Sequence, residues 1–133
     1  MKRPLKPVLV VEDHDDTREM VELILRLDGY TVCSARDGAE ALELTQRETP
    51  CLILLDVMMP VMDGITFARK MRKSRDAHVA ATPIILLTAL SSIDDAVAET
   101  GAVSVIEKPI AIDRVLTEVE RYCGQADDDD SAG

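Results

Sequence analysis

Five residues that could take part in chemistry follow four apolar runs of the sequence. The runs cover positions 8–11, 52–55, 84–87 and 103–106. The first three are followed by Glu12 with Asp13, by Asp56 and by Thr88, and the last continues through Glu107 into Lys108. Clustered carboxylates repel one another, and a divalent cation such as Mg²⁺, which takes oxygen ligands, relieves that repulsion. A carboxylate can also attack phosphorus, while ammonium and hydroxyl groups bind phosphoryl oxygens. If these side chains converge, the sequence predicts a metal-assisted phosphoryl-accepting site.

The apolar runs are the elements that would bring these residues together. Continuous runs of this length are typical of strands that are buried on both faces, as in a parallel sheet covered by helices. In such sheets, ligands bind at the carboxyl ends of the strands. The five side chains are therefore predicted to meet at one edge of one sheet.

The segment that follows the first run has the periodicity of an amphipathic helix. It is predicted to begin within 15–17 and to end at Gly29, because acids favour helix starts and glycine favours helix ends. Its apolar face is predicted to consist of Met20, Leu23, Ile24 and Leu27, and its polar side carries Arg18, Glu19, Glu22 and Arg26.

Four further helices and one more strand are predicted along the chain. The strand covers 31–35, and the helices cover 37–46, 63–73, a segment capped near 91 or 92 with Asp94 and Asp95 in its first turn, and a last segment with Ile112, Val115, Leu116 and Val119 on one face. The order is five strand-then-helix units. It predicts a single α/β domain with a right-handed, doubly wound parallel sheet and five helices.

Composition limits the classes of partner. The chain has 133 residues, a formal net charge of −10 and only 2% aromatic residues. A negative charge disfavours direct contact with nucleic acid or an anionic membrane, and base-stacking side chains are scarce. Neither a signal peptide nor a membrane-spanning run is visible, so a cytoplasmic protein is predicted.

The cysteines, the histidines and the C-terminal tail have simpler interpretations. Cys33, Cys51 and Cys123 are widely spaced, and we expect buried, reduced thiols rather than a disulfide or a metal site. His14 and His78 are predicted to be ordinary exposed residues. Residues 124–133 include four consecutive aspartates and are predicted to form a disordered acidic tail.

These motifs also resemble a known family. Over residues 8–122 the chain is similar to the receiver domain of two-component response regulators. The resemblance is carried by Val-Glu-Asp at 11–13, Asp-Val-Met-Met-Pro-Val-Met-Asp-Gly at 56–64, Thr-Ala at 88–89 and Lys-Pro at 108–109. It implies a flavodoxin-like fold with strand order 2-1-3-4-5, in which 1–123 form the receiver domain and 124–133 the tail.

The resemblance also implies a role for each site residue. Asp56 would be the phosphoacceptor, Lys108 would bind the phosphoryl group, and Thr88 would move toward it. Mg²⁺ would be held by Asp13, by Asp56, by the main-chain carbonyl of Met58 and by Glu12 through a coordinated water. The Lys108–Pro109 peptide bond would be cis.

The implied function is signalling rather than enzyme turnover. The domain would accept a phosphoryl group from a phosphohistidine of a sensor histidine kinase or a histidine phosphotransfer protein and then switch its protein–protein interactions. The downstream effector is not identified by the sequence. The implied state is a monomer or a weak dimer linked to phosphorylation.

Two departures from the family pattern, and three alternatives, accompany this interpretation. Val105 stands where the family often has an aromatic residue, and Ile110 follows Pro109 where Phe is frequent. On phosphorylation, a modest rearrangement of the fourth helix and fifth strand is therefore expected.

The chain could be a fragment of a larger response regulator or hybrid histidine kinase, or a pseudo-receiver that is not phosphorylated. An aspartyl phosphatase is a third alternative, but Met58 replaces the second acid that such enzymes need.

Overall fold

The structure is a computed structural model, and it describes residues 6–57, 63–89 and 94–124. Five strands and six helices lie within these ranges. In chain order they are β1 (Val8–Val11), α1 (Asp15–Leu27), β2 (Val32–Ala35), α2 (Gly38–Arg47), β3 (Leu52–Asp56), α3 (Gly64–Arg72), α4 (Ala77–Ala80), β4 (Ile84–Thr88), α5 (Asp94–Thr100), β5 (Ser104–Glu107) and α6 (Ile112–Cys123). No helix in these three ranges is long and apolar enough to cross a membrane.

The five strands form one parallel sheet in the order β2-β1-β3-β4-β5. This order and the α/β class confirm the predicted flavodoxin-like, doubly wound fold. The strand order reverses between β1 and β3, which places the ends of these two strands at the topological switch point of the sheet.

Alternate residues of each strand enter two separate apolar cores. One core lies between the sheet and the helices α1 and α6, and includes Val10, Leu54, Leu87 and Val119. The other lies on the opposite face, under α2, α3 and α5, and includes Phe67, which is fully buried. Because both faces are covered, the strands need no polar residues until they reach their carboxyl ends.

The first helix forms as predicted, but the predicted apolar face is wrong. Met20, Leu23 and Leu27 are 36%, 59% and 78% exposed, whereas Val21 and Leu25 are buried against the sheet. Two apolar stripes run along α1, and the helix buries Val21 and Leu25, which lie on the same side as the buried Arg18. The helix ends at Leu27, two residues before Gly29, whose positive φ of 94° turns the chain toward β2.

The prediction of five helices is wrong by one, because a short helix lies between α3 and β4. Asp76 starts α4 by accepting hydrogen bonds from the backbone N–H groups of His78 and Val79, and Val79 fills part of the second core. The predicted fourth and fifth helices are therefore α5 and α6. The predicted cap of α5 at 91 or 92 lies outside the described residues.

Arg72, the last residue of α3, joins three segments on one side of the sheet. Its guanidinium group donates to the carbonyl oxygens of Ala80 at 3.0 Å and Thr82 at 2.6 Å, and twice to that of Thr100 at 3.0 and 3.2 Å. A planar guanidinium group spreads its donors over three nitrogens and here makes four hydrogen bonds to three carbonyls, whereas an ammonium group has three donors on a single nitrogen. Arg72 therefore holds the ends of α4 and α5 against α3.

The oxidation state of two of the cysteines differs from the prediction. Cys51 and Cys123 form a disulfide across a sequence separation of 72 residues, and only Cys33 is a free thiol. The expectation of three reduced thiols is wrong because α6 ends beside the start of β3, where the two Cα atoms are 5.6 Å apart. His14 and His78 are exposed, as predicted. Of the predicted tail, only Gly124 belongs to the described residues.

Candidate functional site

The carboxyl ends of four neighbouring strands carry the predicted site residues. Asp56 is the last residue of β3 and Thr88 is the last residue of β4, while Lys108 directly follows β5. Glu12 and Asp13 directly follow β1. The parallel pairing of β1 with β3, of β3 with β4 and of β4 with β5 sets these strand ends side by side, so the sheet brings the five residues to one edge.

The three acids form one cluster. Glu12, Asp13 and Asp56 each offer a carboxylate oxygen, and these oxygens all lie within 4.8 Å of one another. Glu12 is fully buried and Asp56 is 4% exposed, while Asp13 faces solvent. Two buried carboxylates and one solvent-accessible carboxylate at this spacing form an oxygen-rich cluster. Such a set suits a hard divalent cation that keeps part of its water shell.

Lys108 bridges the two buried acids. Its Nζ lies 2.8 Å from Oε1 of Glu12 and 3.4 Å from Oδ2 of Asp56. Burial by itself would lower the pKa of Lys108, but the hydrogen bonds and charges of Glu12 and Asp56 outweigh it, and the pKa is raised. Lys108 is therefore held as a cation within reach of the Asp56 carboxylate.

The backbone also fixes Lys108 relative to Thr88. The N–H of Lys108 donates to the carbonyl oxygen of Thr88 at 3.0 Å, which extends the β4–β5 ladder beyond the last residue of β5. Thr88 itself is 1% exposed. The Lys108–Pro109 peptide bond is cis, as the family resemblance implied. Thr88, Lys108 and Asp56 thus occupy adjacent strand ends in a fixed register.

Arg18 is a site-supporting residue that the sequence interpretation missed. It was placed on the polar side of the first helix, but it is buried and its guanidinium donates to the carbonyl oxygen of Glu12 at 3.1 Å. The same group binds Oδ1 of Asp15 at 2.6 Å, and the N–H of His14 donates to Oε2 of Glu12 at 3.1 Å. These contacts hold the turn between β1 and α1, which carries Glu12 and Asp13.

Gly64 lets α3 approach the end of β3. A Cβ atom at this position would lie 2.6 Å from the carbonyl oxygen of Asp56, too close for any side chain, and 3.0 Å from Cα of Val57, which is a tight contact. The N–H of Gly64 also donates to the carbonyl oxygen of Val57 at 3.1 Å. The close approach of the two backbones therefore requires a residue without a side chain at this position.

Met58 and Val105 were the two remaining residues singled out by the family resemblance. Met58, whose main-chain carbonyl was expected to bind metal, lies outside the described residues. Val105 is half-buried against the second core, and its carbonyl oxygen accepts a hydrogen bond from Arg114 at 3.1 Å. An open groove of about 380 Å³, lined by Val105, Ile106, Glu107, Ala111 and Arg114, runs along this side of β5.

Comparison of the sequence with known proteins gives the family. Residues 8–120 match the family described as response regulator receiver domain. Response regulator MprA of Mycobacterium leprae is 36% identical over 127 residues, which cover 94% of this chain and 54% of that protein. The probable transcriptional regulator ycf27 of Porphyridium aerugineum is 42% identical over 106 residues, which cover 78% of this chain and 42% of that protein. The chain thus spans about half the length of these relatives.

Solved structures agree with this result. Chemotaxis protein CheY4 of Vibrio cholerae matches with a TM-score of 0.80 and 33% identity, over 90% of this chain and 99% of that one. The signal receiver domain of a signal transduction histidine kinase from Syntrophus aciditrophicus matches with a TM-score of 0.77 and 35% identity, over 88% of this chain and 89% of that one. Sequence, strand order and the acidic strand ends lead to one conclusion: the chain belongs to the response regulator receiver domain family of two-component signalling.

Proposed function

We propose that the chain accepts a phosphoryl group on Asp56 from a phosphohistidine of a sensor histidine kinase or a histidine phosphotransfer protein. The observation that carries this proposal is the placement of Lys108, whose Nζ is 3.4 Å from Oδ2 of the nearly buried Asp56. A cation at this distance can bind the oxygens of a phosphoryl group as that group arrives on the carboxylate. The modified domain would then switch its protein–protein interactions.

The reaction makes one bond and breaks one. An Oδ atom of Asp56 attacks phosphorus, the O–P bond forms, and the N–P bond of the phosphohistidine breaks, so the electron pair returns to the imidazole. Lys108 then exchanges contacts with the carboxylate of Asp56 for contacts with phosphoryl oxygens. Its ion pair with Glu12 keeps the ammonium group in place while this exchange occurs.

Thr88 is the residue that reports the modification in this proposal. It ends β4 beside Asp56, and its carbonyl oxygen is already bound to the N–H of Lys108. A hydroxyl at this strand end can donate to a phosphoryl oxygen. A shift of Thr88 would then be transmitted to β5 through Lys108, where the short side chain of Val105 leaves less surface to rearrange than an aromatic ring would.

Mg²⁺ is the metal that fits the acidic cluster. Glu12, Asp13 and Asp56 would hold it, with Met58 contributing its carbonyl oxygen and Glu12 acting through water. When bound, the ion neutralises charge that builds up on the phosphoryl oxygens. Three carboxylates beside one ammonium group leave the cluster with net negative charge, which is the observation that favours a divalent cation.

The setting that we propose is a cytoplasmic signalling protein that is not a turnover enzyme. Its partners would be the phosphohistidine donor and a downstream effector protein, and it would be a monomer or a weak dimer linked to phosphorylation. The net charge of −10 supports the absence of direct contact with nucleic acid or an anionic membrane surface.

The proposal is tested by phosphorylation with a small donor. Incubation of the protein with acetyl phosphate and Mg²⁺ should increase its intact mass by one phosphoryl group, since the donor supplies an activated phosphoryl without a partner protein. Inorganic phosphate in place of acetyl phosphate, and chelation of the metal, serve as controls and should give no increase. No increase with acetyl phosphate and Mg²⁺ would instead favour the pseudo-receiver alternative.

We also expect Mg²⁺ to stabilise the fold. An ion that binds only the folded state raises the melting temperature by mass action, so millimolar Mg²⁺ should raise it measurably by differential scanning fluorimetry. Asp13→Ala should remove most of this rise, and Glu12→Gln should remove less. Asp16→Ala, which deletes an exposed acid three residues away, is the matched control and should keep the full rise. A parent protein whose melting is indifferent to Mg²⁺ would contradict the metal site.

A further inference from the structure

Cys51 and Cys123 join two elements that are distant in sequence, at the end of the sheet opposite to the acidic cluster. Cys51 directly precedes β3, and Cys123 is the last residue of α6. Asp56 stands at the other end of the same strand. The proposed phosphoryl transfer does not use this cysteine pair, so the pair needs a separate explanation.

The last turn of α6 is anchored without the disulfide. Val119 and Cys123 are buried in the first core, and Tyr30, which lies between α1 and β2, donates its hydroxyl hydrogen to Oε1 of Glu120 at 2.9 Å. The side chain of Cys123 occupies an apolar site that a thiol also fits. These contacts would remain after reduction, so the domain should be folded in both redox states.

In the reduced state, the thiol of Cys51 could donate a hydrogen bond to a nearby backbone carbonyl oxygen. Its Sγ lies 3.5 Å from the carbonyl oxygen of Pro7 and 3.7 Å from that of Lys6, within range for a thiol that donates. Cys51 is partly exposed, whereas Cys123 is 2% exposed. A small thiol or disulfide can therefore reach Cys51 first, and Cys123 lies behind it.

We propose that Cys51 and Cys123 form a reversible redox modification site, which is closed and opened by exchange with low-molecular-weight disulfides and thiols. In the closing direction the Cys51 thiolate attacks a small disulfide, which forms a mixed disulfide and releases one small thiolate. The Cys123 thiolate then attacks Sγ of Cys51 and releases the second small thiolate. The two protons of the protein thiols pass to the released thiolates, and the small disulfide is the oxidant that is reduced.

Cys33 provides an internal comparison. It is a free thiol on β2, and burial, followed by the charge of Glu48, raises its pKa to about 11, although Arg26 acts in the opposite direction. A thiol with so little thiolate at neutral pH exchanges slowly. Cys33 should therefore neither take part in the closing reaction nor compete with it.

The test is an equilibrium titration of the full chain with mixtures of oxidised and reduced glutathione. Each sample is denatured in acid, alkylated with N-ethylmaleimide and weighed intact. We expect three alkylated cysteines at the reducing end and one at the oxidising end, with a continuous transition between them. The cross-linked form should also melt higher by roughly 10 °C, because the disulfide closes a long loop in the unfolded chain.

Matched variants assign the transition to the pair. Cys33→Ser should keep the transition and Cys51→Ser should lose it. Cys123→Ser should stop at the mixed disulfide and gain the mass of one glutathione on Cys51 at the oxidising end. Peptide mapping of the oxidised parent should show Cys51 linked to Cys123 without any variant. Three alkylated cysteines at every ratio would show that the pair does not close. One alkylated cysteine at every ratio, including excess reduced glutathione, would show a permanent cross-link. Either result would overturn the proposal, whatever the outcome of phosphorylation.

Discussion

Asp56→Asn is expected to abolish phosphorylation completely. The amide of asparagine is a poor nucleophile toward phosphorus, whereas every other contact of the site can remain. The fold should persist, because the substitution removes one negative charge from a cluster of three carboxylates that lie within 4.8 Å of one another. Without Mg²⁺ the variant should melt at the parent temperature or slightly above it. Intact mass after incubation with acetyl phosphate and Mg²⁺ measures the loss.

Asp63→Asn is the matched control for this variant. Asp63 begins α3 and accepts a hydrogen bond from the backbone N–H of Thr66 at 2.8 Å, a role that asparagine performs nearly as well. The same change of side chain, seven positions later, should therefore leave both melting and phosphorylation close to those of the parent. If Asp56→Asn still gained a phosphoryl group, the acceptor would be another residue.

The second large effect is expected at Arg72. Arg72→Met keeps most of the aliphatic volume but leaves the carbonyl oxygens of Ala80, Thr82 and Thr100 without their guanidinium donor. Hydrogen bonds from a charged donor contribute more than neutral ones, and unsatisfied carbonyls add a penalty, so the free energy of unfolding should fall by about 3 kcal/mol or more. Denaturation in urea, with the midpoint and slope fitted together, measures this change.

Arg69→Met is the control for Arg72. Arg69 lies on the same helix and pairs with Glu99, but the two side chains are 55% and 44% exposed. An exposed ion pair contributes little, so this variant should lose under about 1 kcal/mol. Arg72→Lys should fall between the two, since an ammonium group keeps the charge but has three donors on one nitrogen in place of the guanidinium fork that makes four hydrogen bonds. Equal losses for Arg72→Met and Arg69→Met would show that the carbonyl contacts of Arg72 do not stabilise the domain.

The strands and the acidic strand ends were predictable from the local pattern of the sequence. Four apolar runs gave the positions of β1, β3, β4 and β5, and they also gave the acidic strand ends, because a strand that is buried on both faces stays apolar until it meets solvent. The strand order came from the family resemblance rather than from pattern. Local pattern and resemblance together were sufficient for the fold class and the location of the candidate site.

The features that the sequence did not predict depend on tertiary contacts. Helix α1 carries two apolar stripes, and periodicity alone does not decide between Leu23 and Leu25 as the buried residue. Arg18 is polar by type, yet its long side chain is buried because the carbonyl oxygen of Glu12 lies within its reach. The disulfide joins cysteines 72 residues apart, and their contact exists only after α6 packs against the sheet. The disulfide and the choice of the buried stripe therefore depend on partners that are distant in sequence, whereas Arg18 depends on the backbone of a turn six residues away.

The rigidity of strand β3 fixes the distance between Cys51 and Asp56, which can be used in distance measurements. Its five residues are fully or almost fully buried and are paired on both sides, by β1 and by β4, so the strand cannot bend or slide without breaking two ladders. At about 3.3 Å per residue, Cys51 and Asp56 are separated by roughly 16 Å along this strand. A fluorophore attached to Cys51, in a chain whose other cysteines are replaced, would therefore sit at a built-in reference distance. Energy transfer from this fluorophore to a labelled partner would then report how far from Asp56 the partner docks.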